Sequence, residues 1–387
     1  MSAAGVMARA DVAALFTPFR LGGLTVPNRI VMSPMTRQFS PGRVPGADVA
    51  AYYARRAAAG VGLIVTEGVA IDHAAAVDFP EVPQLHGDAA QAGWRKVVDQ
   101  VHGAGGLIVP QLWHQGPMRD PASSTEPEIV GIRPSGVWGR IGGSVSLDPA
   151  YVERMLPDTR PASDGEIADI IESYARAARA AIELGFDGIA IHAAHGYLID
   201  SFLWHETNRR DDIWGGDASR RTAFAVAVVR TIRDAIGPQR PILFRFSQFK
   251  MQDYLARLAD TPDALAALLC PVAEAGVDLF DASQRYFDQP AFADSSLNLA
   301  GWAKRLTGVA SMTVGGIGMG TPRDSLGVER PMEADDNLDA VLARLEAAEF
   351  DLIAVGRALL NDPGWISRLR DGHPFLPFDR ANLKRLT

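Results

Sequence analysis

The feature that most restricts the fold of this chain is a repeated alternation of short apolar runs with longer segments of helical spacing. Near-continuous apolar runs are typical of parallel strands that are buried on both faces. The eight runs are Arg29–Met35, Leu63–Val69, Leu107–Trp113, Gly188–Ala193, Pro241–Ser247, Leu279–Ser283, Ser311–Gly316 and Leu352–Arg357. Repeated strand–helix units of this kind predict an α/β fold, a (β/α)8 TIM barrel, with residues 1–387 forming a single domain.

The segments between the runs carry the end signals of helices. Asp164–Leu184 follows Ser163 and includes Glu166, which together are typical of a capped helix start. Ser219–Ile236 and Pro262–Ala275 have similar apolar spacing. A doubly wound sheet is the structural alternative, and it would more often carry a glycine-rich fingerprint after its first strand. The residues at the end of the first run and just after it, Met35–Gln38, contain no glycine, which favours the barrel.

Three segments interrupt the alternation. Phe19–Val26 predicts a β-hairpin that turns at Gly22 and Gly23, and we expect it to plug the floor of the barrel. Long insertions follow the third strand, at Gln115–Ala162, and the seventh strand, at Gly318–Met332. Loops that follow strands lie on the catalytic face of a barrel, so both insertions are predicted to act as lids or substrate walls.

Composition and charge argue against several classes of protein. The net charge is −8 and the pI is about 5.5, so neither nucleic acid nor an anionic membrane is an expected partner. The single cysteine, Cys270, excludes an intrachain disulfide and a cysteine-ligated cluster. No signal-peptide pattern and no apolar run of about 18 residues occurs, so we expect a cytoplasmic protein. Monomer and homo-oligomer both stay open.

Glycines and an arginine at two strand ends predict a phosphate site. Gly315 and Gly316 end the seventh strand, and Gly356 and Arg357 end the eighth. Backbone N–H groups without side chains can approach an anion closely, and a guanidinium adds charge-assisted hydrogen bonds. The loops after strands seven and eight are also the usual phosphate position on this fold.

The centre of the candidate site is His192, His195 and Tyr197, at the end of the fourth strand. Metal binding by the two imidazoles is one possibility, but no cysteine partner or His-Glu-x-x-His helix accompanies them. Two imidazole donors beside a phenolic proton suit a substrate whose oxygen gains negative charge and which then takes up a proton. The pattern therefore favours acid catalysis over metal binding.

An ordered set of motifs resembles the old yellow enzyme family, from about Leu15 to about Leu369. The motifs are Asn28–Arg37, Thr66–Gly68, Gln111–Gly116, His192–Tyr197 and Arg209–Asp217. The resemblance implies tightly bound, non-covalent FMN, with NADPH or NADH as the hydride donor. It also implies an ene-reductase, which reduces the activated C=C bond of an α,β-unsaturated carbonyl or nitro compound.

The resemblance also implies roles for individual residues. Pro34, Met35 and Gly68 would lie along the isoalloxazine edge, Thr36 would bond the flavin C4 carbonyl, Gln111 the pyrimidine edge, and Arg245 would face N1 and the C2 carbonyl. Gly315, Gly316, Gly356 and Arg357 would hold the phosphate. His192 and His195 would bind the substrate oxygen, Tyr197 would be the general acid, and Trp113 would shape the pocket. Tyr286, which follows the sixth strand, is a further candidate for the pocket wall.

Three alternatives stay open at the level of sequence. Another FMN barrel, of the hydroxy-acid oxidase or dihydroorotate dehydrogenase type, would share the phosphate corner. A flavin-free barrel lyase using a Schiff base would need a lysine at a strand end, and Lys250 comes nearest. The third is a non-catalytic scaffold. The physiological alkene and the choice between NADPH and NADH are not determined by these motifs.

Overall fold

A closed barrel of parallel strands forms the centre of the computed structural model, which describes residues 12–142, 147–320, 333–334 and 337–387. Strands are numbered in chain order, and β1 (Phe19–Leu21) and β2 (Leu24–Val26) form a hairpin ahead of the barrel. The barrel strands are β3 (Ile30–Met32), β4 (Leu63–Ala70), β5 (Ile108–Trp113), β6 (Ile189–His192), β7 (Ile242–Ser247), β8 (Leu279–Ser283), β9 (Ala310–Val314) and β12 (Leu352–Val355). They pair in sequence order, with β12 closing on β3, so the predicted (β/α)8 barrel is confirmed.

Three strands end two or three residues earlier than the apolar runs predict, each for a local reason. β3 ends before Pro34, which has no N–H to donate to a neighbouring strand. β9 ends before Gly315, whose φ of 135° departs from extended backbone. β12 ends before Gly356, which precedes the first residue of a helix. Each early end frees backbone on the catalytic face.

Helices surround the barrel. They are α1 (Ala47–Ala58), α2 (Asp88–Gly103), α3 (Pro149–Met155), α4 (Asp164–Glu183), α5 (Leu198–Leu203), α6 (Ala223–Ile236), α7 (Pro262–Glu274), α8 (Leu299–Thr307), α9 (Leu338–Glu346), α10 (Arg357–Asn361) and α11 (Trp365–Arg370). Ser163 and Glu166 form the expected capping box of α4. α6 begins later than predicted because a tight 3-10 turn, Arg220–Thr222, precedes it. Across the described ranges, no helix has the length and apolarity needed to cross a bilayer.

The hairpin closes one end of the barrel, as predicted. Leu21 and Val26 pack among barrel residues that include Val31, Leu63 and Leu243. The N–H of Gly23 donates to the carbonyl of Gln239, which precedes β7, at 2.8 Å. This seals the end at which the strands begin and leaves the opposite end for the site.

The two predicted insertions differ in how much of each is described. The segment after β5 contains short 3-10 turns at Gly116–Met118 and Pro121–Ser123, and then α3, while residues 143–146 lie outside the described ranges. Most of the insertion after β9, residues 321–332, also lies outside them. Its two flanks pair as a short antiparallel sheet, β10 (Met319–Gly320) with β11 (Glu333–Ala334).

Candidate active site

Strand register brings the predicted site residues to one end of the barrel. Gly68 on β4 is the pairing partner of Gln111 on β5, and His192 on β6 is the partner of Arg245 on β7. Because all eight strands are parallel, their carboxyl ends meet on one face. Residues that are far apart in sequence therefore converge there.

Gly68 allows an indole to lie directly against the strand. A Cβ at this position would lie 2.5 Å from Cε3 of Trp113, closer than real Cβ contacts. The pairing of β4 with β5 is irregular between Val65 and Gly68, which bends the strand at this point. The absence of a side chain at Gly68 is thus a requirement of the packing.

Arg245 is buried on the barrel wall and is held by two side chains that the motifs did not reveal. Its Nη2 donates to Oγ of Ser33 at 2.9 Å, and its Nε lies 2.9 Å from Oδ2 of Asp281. Burial lowers the pKa of Arg245 and raises that of Asp281, and the attraction between the two groups opposes both shifts. The available signal was Asp281 itself, a carboxylate inside an otherwise apolar strand, which needs a buried partner.

A buried amide of Gln111 has unused hydrogen-bonding capacity. Its side chain lies in the barrel wall, and Nε2 has no hydrogen-bond partner among the described residues. Burying an unpaired amide donor is unfavourable, so such a group in a native protein indicates a partner that binds there. The polar edge of a flavin ring, which has carbonyl oxygens and ring nitrogens, fits this requirement.

Four aromatic side chains form a compact cluster at the ends of β5 and β6. The ring of His192 lies 5.1 Å from that of His195 and 4.8 Å from that of Tyr197, centroid to centroid. Trp113 stacks on His192 at 6.1 Å and meets Tyr197 edge-on at 5.0 Å. The structure thus brings together four of the residues assigned to the substrate.

Burial favours the neutral form of each titratable group in this cluster. The pKa values of His192 and His195 lie well below their ordinary range because burial disfavours the imidazolium, and Arg245 acts in the same direction. Burial also raises the pKa of Tyr197. At neutral pH the cluster therefore presents uncharged imidazoles and a protonated phenol.

His195 is fixed from several sides. Its Nε2 lies 2.8 Å from Oγ of Ser283, and its backbone N–H donates to Oγ of Ser247 at 3.0 Å. Its ring stacks on Phe249 at 4.9 Å. These partners come from the ends of β7 and β8, and sequence reasoning missed them because serine and phenylalanine at a strand end have no distinctive motif.

The predicted phosphate corner lies at the ends of β9 and β12. Gly315 and Gly316 both have positive φ, 135° and 73°, and a Cβ on Gly315 would lie 2.5 Å from the carbonyl oxygen of Gln284. Burial lowers the pKa of Arg357, and the nearby Arg285 and Tyr286 also affect it. Tyr286 therefore lies near the phosphate corner, and its role in the substrate pocket stays a prediction.

Comparison with known proteins identifies the family. The model of the NADH:flavin oxidoreductase / NADH oxidase family matches residues 14–375. The chain belongs to this family. A chanoclavine-I aldehyde reductase of Penicillium roqueforti is 33% identical over 369 residues, which cover 95% of this chain and 92% of the relative. The 12-oxophytodienoate reductase 7 of Oryza sativa subsp. japonica is 32% identical, covering 94% and 89% of the two chains.

Solved structures agree with this assignment. An old yellow enzyme homologue from Zymomonas mobilis superposes with a TM-score of 0.78 at 26% identity, over 97% of both chains. Morphinone reductase in complex with tetrahydroNAD gives a TM-score of 0.77 at 26% identity, over 96% of this chain and 94% of the other. The old yellow enzyme family predicted from the motifs is therefore confirmed.

Membership in the old yellow enzyme family decides among the alternatives. The protein is an NAD(P)H-dependent FMN oxidoreductase, and not a hydroxy-acid oxidase or a flavin-free lyase. The environment of Lys250 also argues against a lyase, because this side chain is fully buried and its Nζ lies 2.7 Å from Asp200. A Schiff base would need that amine to be accessible and unpaired.

Proposed function

We propose that this old yellow enzyme is an ene-reductase, which reduces the activated C=C bond of an α,β-unsaturated carbonyl or nitro compound at the expense of NADPH or NADH. The observation that supports it best is the cluster of His192, His195, Tyr197 and Trp113 described above. The names of two relatives pair a carbonyl compound with the word reductase, which is consistent with such a substrate.

The residues that would hold FMN are those assigned from the motifs. Pro34, Met35, Thr36, Gly68, Gln111 and Arg245 would contact the ring, and Gly315, Gly316, Gly356 and Arg357 the phosphate. Nε2 of Gln111, which has no hydrogen-bond partner in the described part of the chain, and the buried guanidinium of Arg245 support the ring assignment. The chemistry that bound FMN would supply is hydride transfer between the nicotinamide and the β-carbon of the alkene.

The histidines would bind the electron-withdrawing oxygen of the substrate. Nδ1 of His192 accepts the N–H of Ala194 at 3.4 Å, so in the neutral ring the proton is on Nε2. Nε2 is then a donor for a carbonyl or nitro oxygen, and His195 provides the second ring. Donors directed at this oxygen stabilise the negative charge that it gains as the β-carbon receives hydride.

Tyr197 would protonate the α-carbon. Because burial raises the pKa of its phenol, the group keeps its proton throughout the neutral range. The product then contains one hydride at the β-carbon and one proton at the α-carbon, and solvent returns a proton to the phenolate. The two neutral imidazoles would bind the substrate oxygen without competing with Tyr197 as the proton donor.

Two measurements test the proposal. The purified protein should be yellow, lose its visible absorption on anaerobic addition of NADPH and regain it with 2-cyclohexenone. Tyr197→Phe should slow the reoxidation about 10²- to 10⁴-fold, the range of general acid catalysis, while leaving flavin reduction nearly unchanged. Tyr174→Phe, which alters a fully buried phenol on α4, is the matched control. A colourless protein, or equal slowing of both half-reactions in Tyr197→Phe, would refute the proposal.

A further inference from the structure

A fully buried ion pair lies beside the proposed substrate-binding cluster and has no role in the chemistry described so far. Nζ of Lys250, just beyond β7, lies 2.7 Å from Oδ1 of Asp200 on α5, and both side chains have no exposed surface. Removing two charges from water is costly, so the pair alone is weak evidence for a gain in stability. Its position indicates a different use.

The pair is connected directly to the turn that carries the proposed catalytic groups. Oδ2 of Asp200 accepts the N–H of Gly196 at 2.6 Å, and Gly196 lies between His195 and Tyr197. On the other side, the N–H of Met251, which follows Lys250, donates to the carbonyl of His195 at 3.1 Å. The carboxylate of Asp200 and the backbone that follows Lys250 therefore hold the turn from both sides.

This turn has a conformation that needs external support. His195 has a φ of 66°, in the left-handed region that non-glycine residues rarely adopt, and Gly196 follows with a φ of 86°. A Cβ on Gly196 would lie 2.6 Å from Oε1 of Gln252. Such backbone persists only where surrounding contacts impose it. The carboxylate of Asp200 is one such contact, and Lys250 neutralises and orients that carboxylate.

We propose that Asp200 and Lys250 are positioning residues, which hold the Gly196 amide and thereby place the His195 imidazole and the Tyr197 phenol for the substrate. The proposal rests on the proposed function for the identity of that substrate. The positioning role itself does not depend on which substrate binds: the hydrogen bond from the Gly196 N–H to residue 200 sets the geometry of an oxyanion-binding turn.

Two double variants separate positioning from stability. Asp200→Asn/Lys250→Met and Asp200→Leu/Lys250→Met both remove the buried charges, but only the asparagine can accept the Gly196 N–H. Each holoenzyme is titrated with 4-chlorophenol, whose ionised form is an oxyanion that hydride cannot reduce, and binding is followed through the flavin absorption spectrum. We expect affinity within about threefold of wild type for the asparagine variant and at least about tenfold weaker for the leucine variant, a difference of one lost hydrogen bond.

The flavin midpoint potential and the flavin content should be unchanged in both variants, because Arg245 and Thr36 are untouched. Lys304→Met is the matched control: Nζ of Lys304 lies 2.9 Å from Oδ1 of Asp351, whose Oδ2 accepts the Ser311 N–H at 3.0 Å, at the opposite end of the barrel. That variant should bind 4-chlorophenol as wild type does.

Equal affinity in the two double variants would overturn the proposal, whatever their melting temperatures. A parallel fall in phenol affinity, flavin potential and flavin content would also overturn it, since that pattern indicates general damage to the site. Failure of the proposed function gives a different result: wild-type protein that binds FMN but does not reduce alkenes. The phenol titration still tests the positioning role in that case.

Discussion

Glu67 offers a quantitative test of the electrostatics beside the proposed flavin site. Its side chain is 1% exposed, and Oε2 accepts the N–H groups of Arg37 and Gln38 at 2.9 and 3.1 Å. Oε1 is buried without a hydrogen-bond partner within the described ranges. Burial raises the pKa of Glu67 to about 7, against the two hydrogen bonds, which lower it. This carboxyl therefore holds the segment that follows Thr36 and titrates near neutrality.

The folded protein binds the Glu67 proton more tightly than the unfolded chain does, so protonation favours folding. The stabilising contribution is fully present below the ordinary pKa of 4.5 and is lost as the pH rises through about 7. At ~1.36 kcal/mol per pH unit, the whole effect is roughly 3 kcal/mol, of which about 2.5 kcal/mol falls between about pH 5 and about pH 8.

Glu67→Gln removes this titration while keeping an oxygen for both N–H groups. For 387 residues, an unfolding entropy of about 2.1 cal/mol/K per residue converts this change in free energy to about 3 °C. We expect the melting temperature of wild type, relative to the variant, to fall by that amount from the lower to the higher pH. The assay is thermal unfolding of both proteins saturated with FMN.

The difference in melting temperature between wild type and a variant cancels the contribution of every titrating group that the two proteins share. Glu183→Gln, at an exposed position on α4, is the control and should give the same offset from wild type at both pH values. An offset for Glu67→Gln that does not change with pH would refute the electrostatic reasoning, because Glu67 would then bind its proton no more tightly in the folded protein than in the unfolded chain.

Three further predictions concern the proposed FMN contacts. Thr36→Ala should lower the flavin midpoint potential by ~20 mV, the equivalent of a hydrogen bond of ~1 kcal/mol; a redox titration that finds no shift contradicts that contact. Gly68→Ala places a Cβ 2.5 Å from Trp113, so we expect roughly tenfold weaker FMN binding in fluorescence titrations of the apoprotein. Unchanged FMN affinity would contradict this prediction. Arg245→Met leaves the Asp281 charge unpaired, which should cost ~3–5 kcal/mol of stability. Arg245→Met/Asp281→Leu should recover most of the melting temperature but keep a lowered flavin midpoint potential. Full recovery of both the melting temperature and the potential would argue against a flavin contact.

The sequence pattern was sufficient for features that depend on neighbours along the chain. Apolar runs and capping signals located the strands and the start of α4, because burial on both faces and unpaired N–H groups restrict residue choice locally. Since parallel strands end on one face, the strand ends also predicted which residues would share the site. Strand limits near Pro34, Gly315 and Gly356 were predicted less well, because the runs continue past the last ladder hydrogen bond.

Contacts between distant segments, and the charge states that follow from them, were decided only by the tertiary structure. Asp281 with Arg245, and Asp200 with Lys250, are pairs that no spacing rule connects, and their meeting depends on strand register and helix packing. The raised pKa of Glu67 and the left-handed φ of His195 likewise arise from burial and from hydrogen bonds across the barrel. Desolvation and Coulomb energies depend on distances in space, and those distances exist only once the chain has closed on itself.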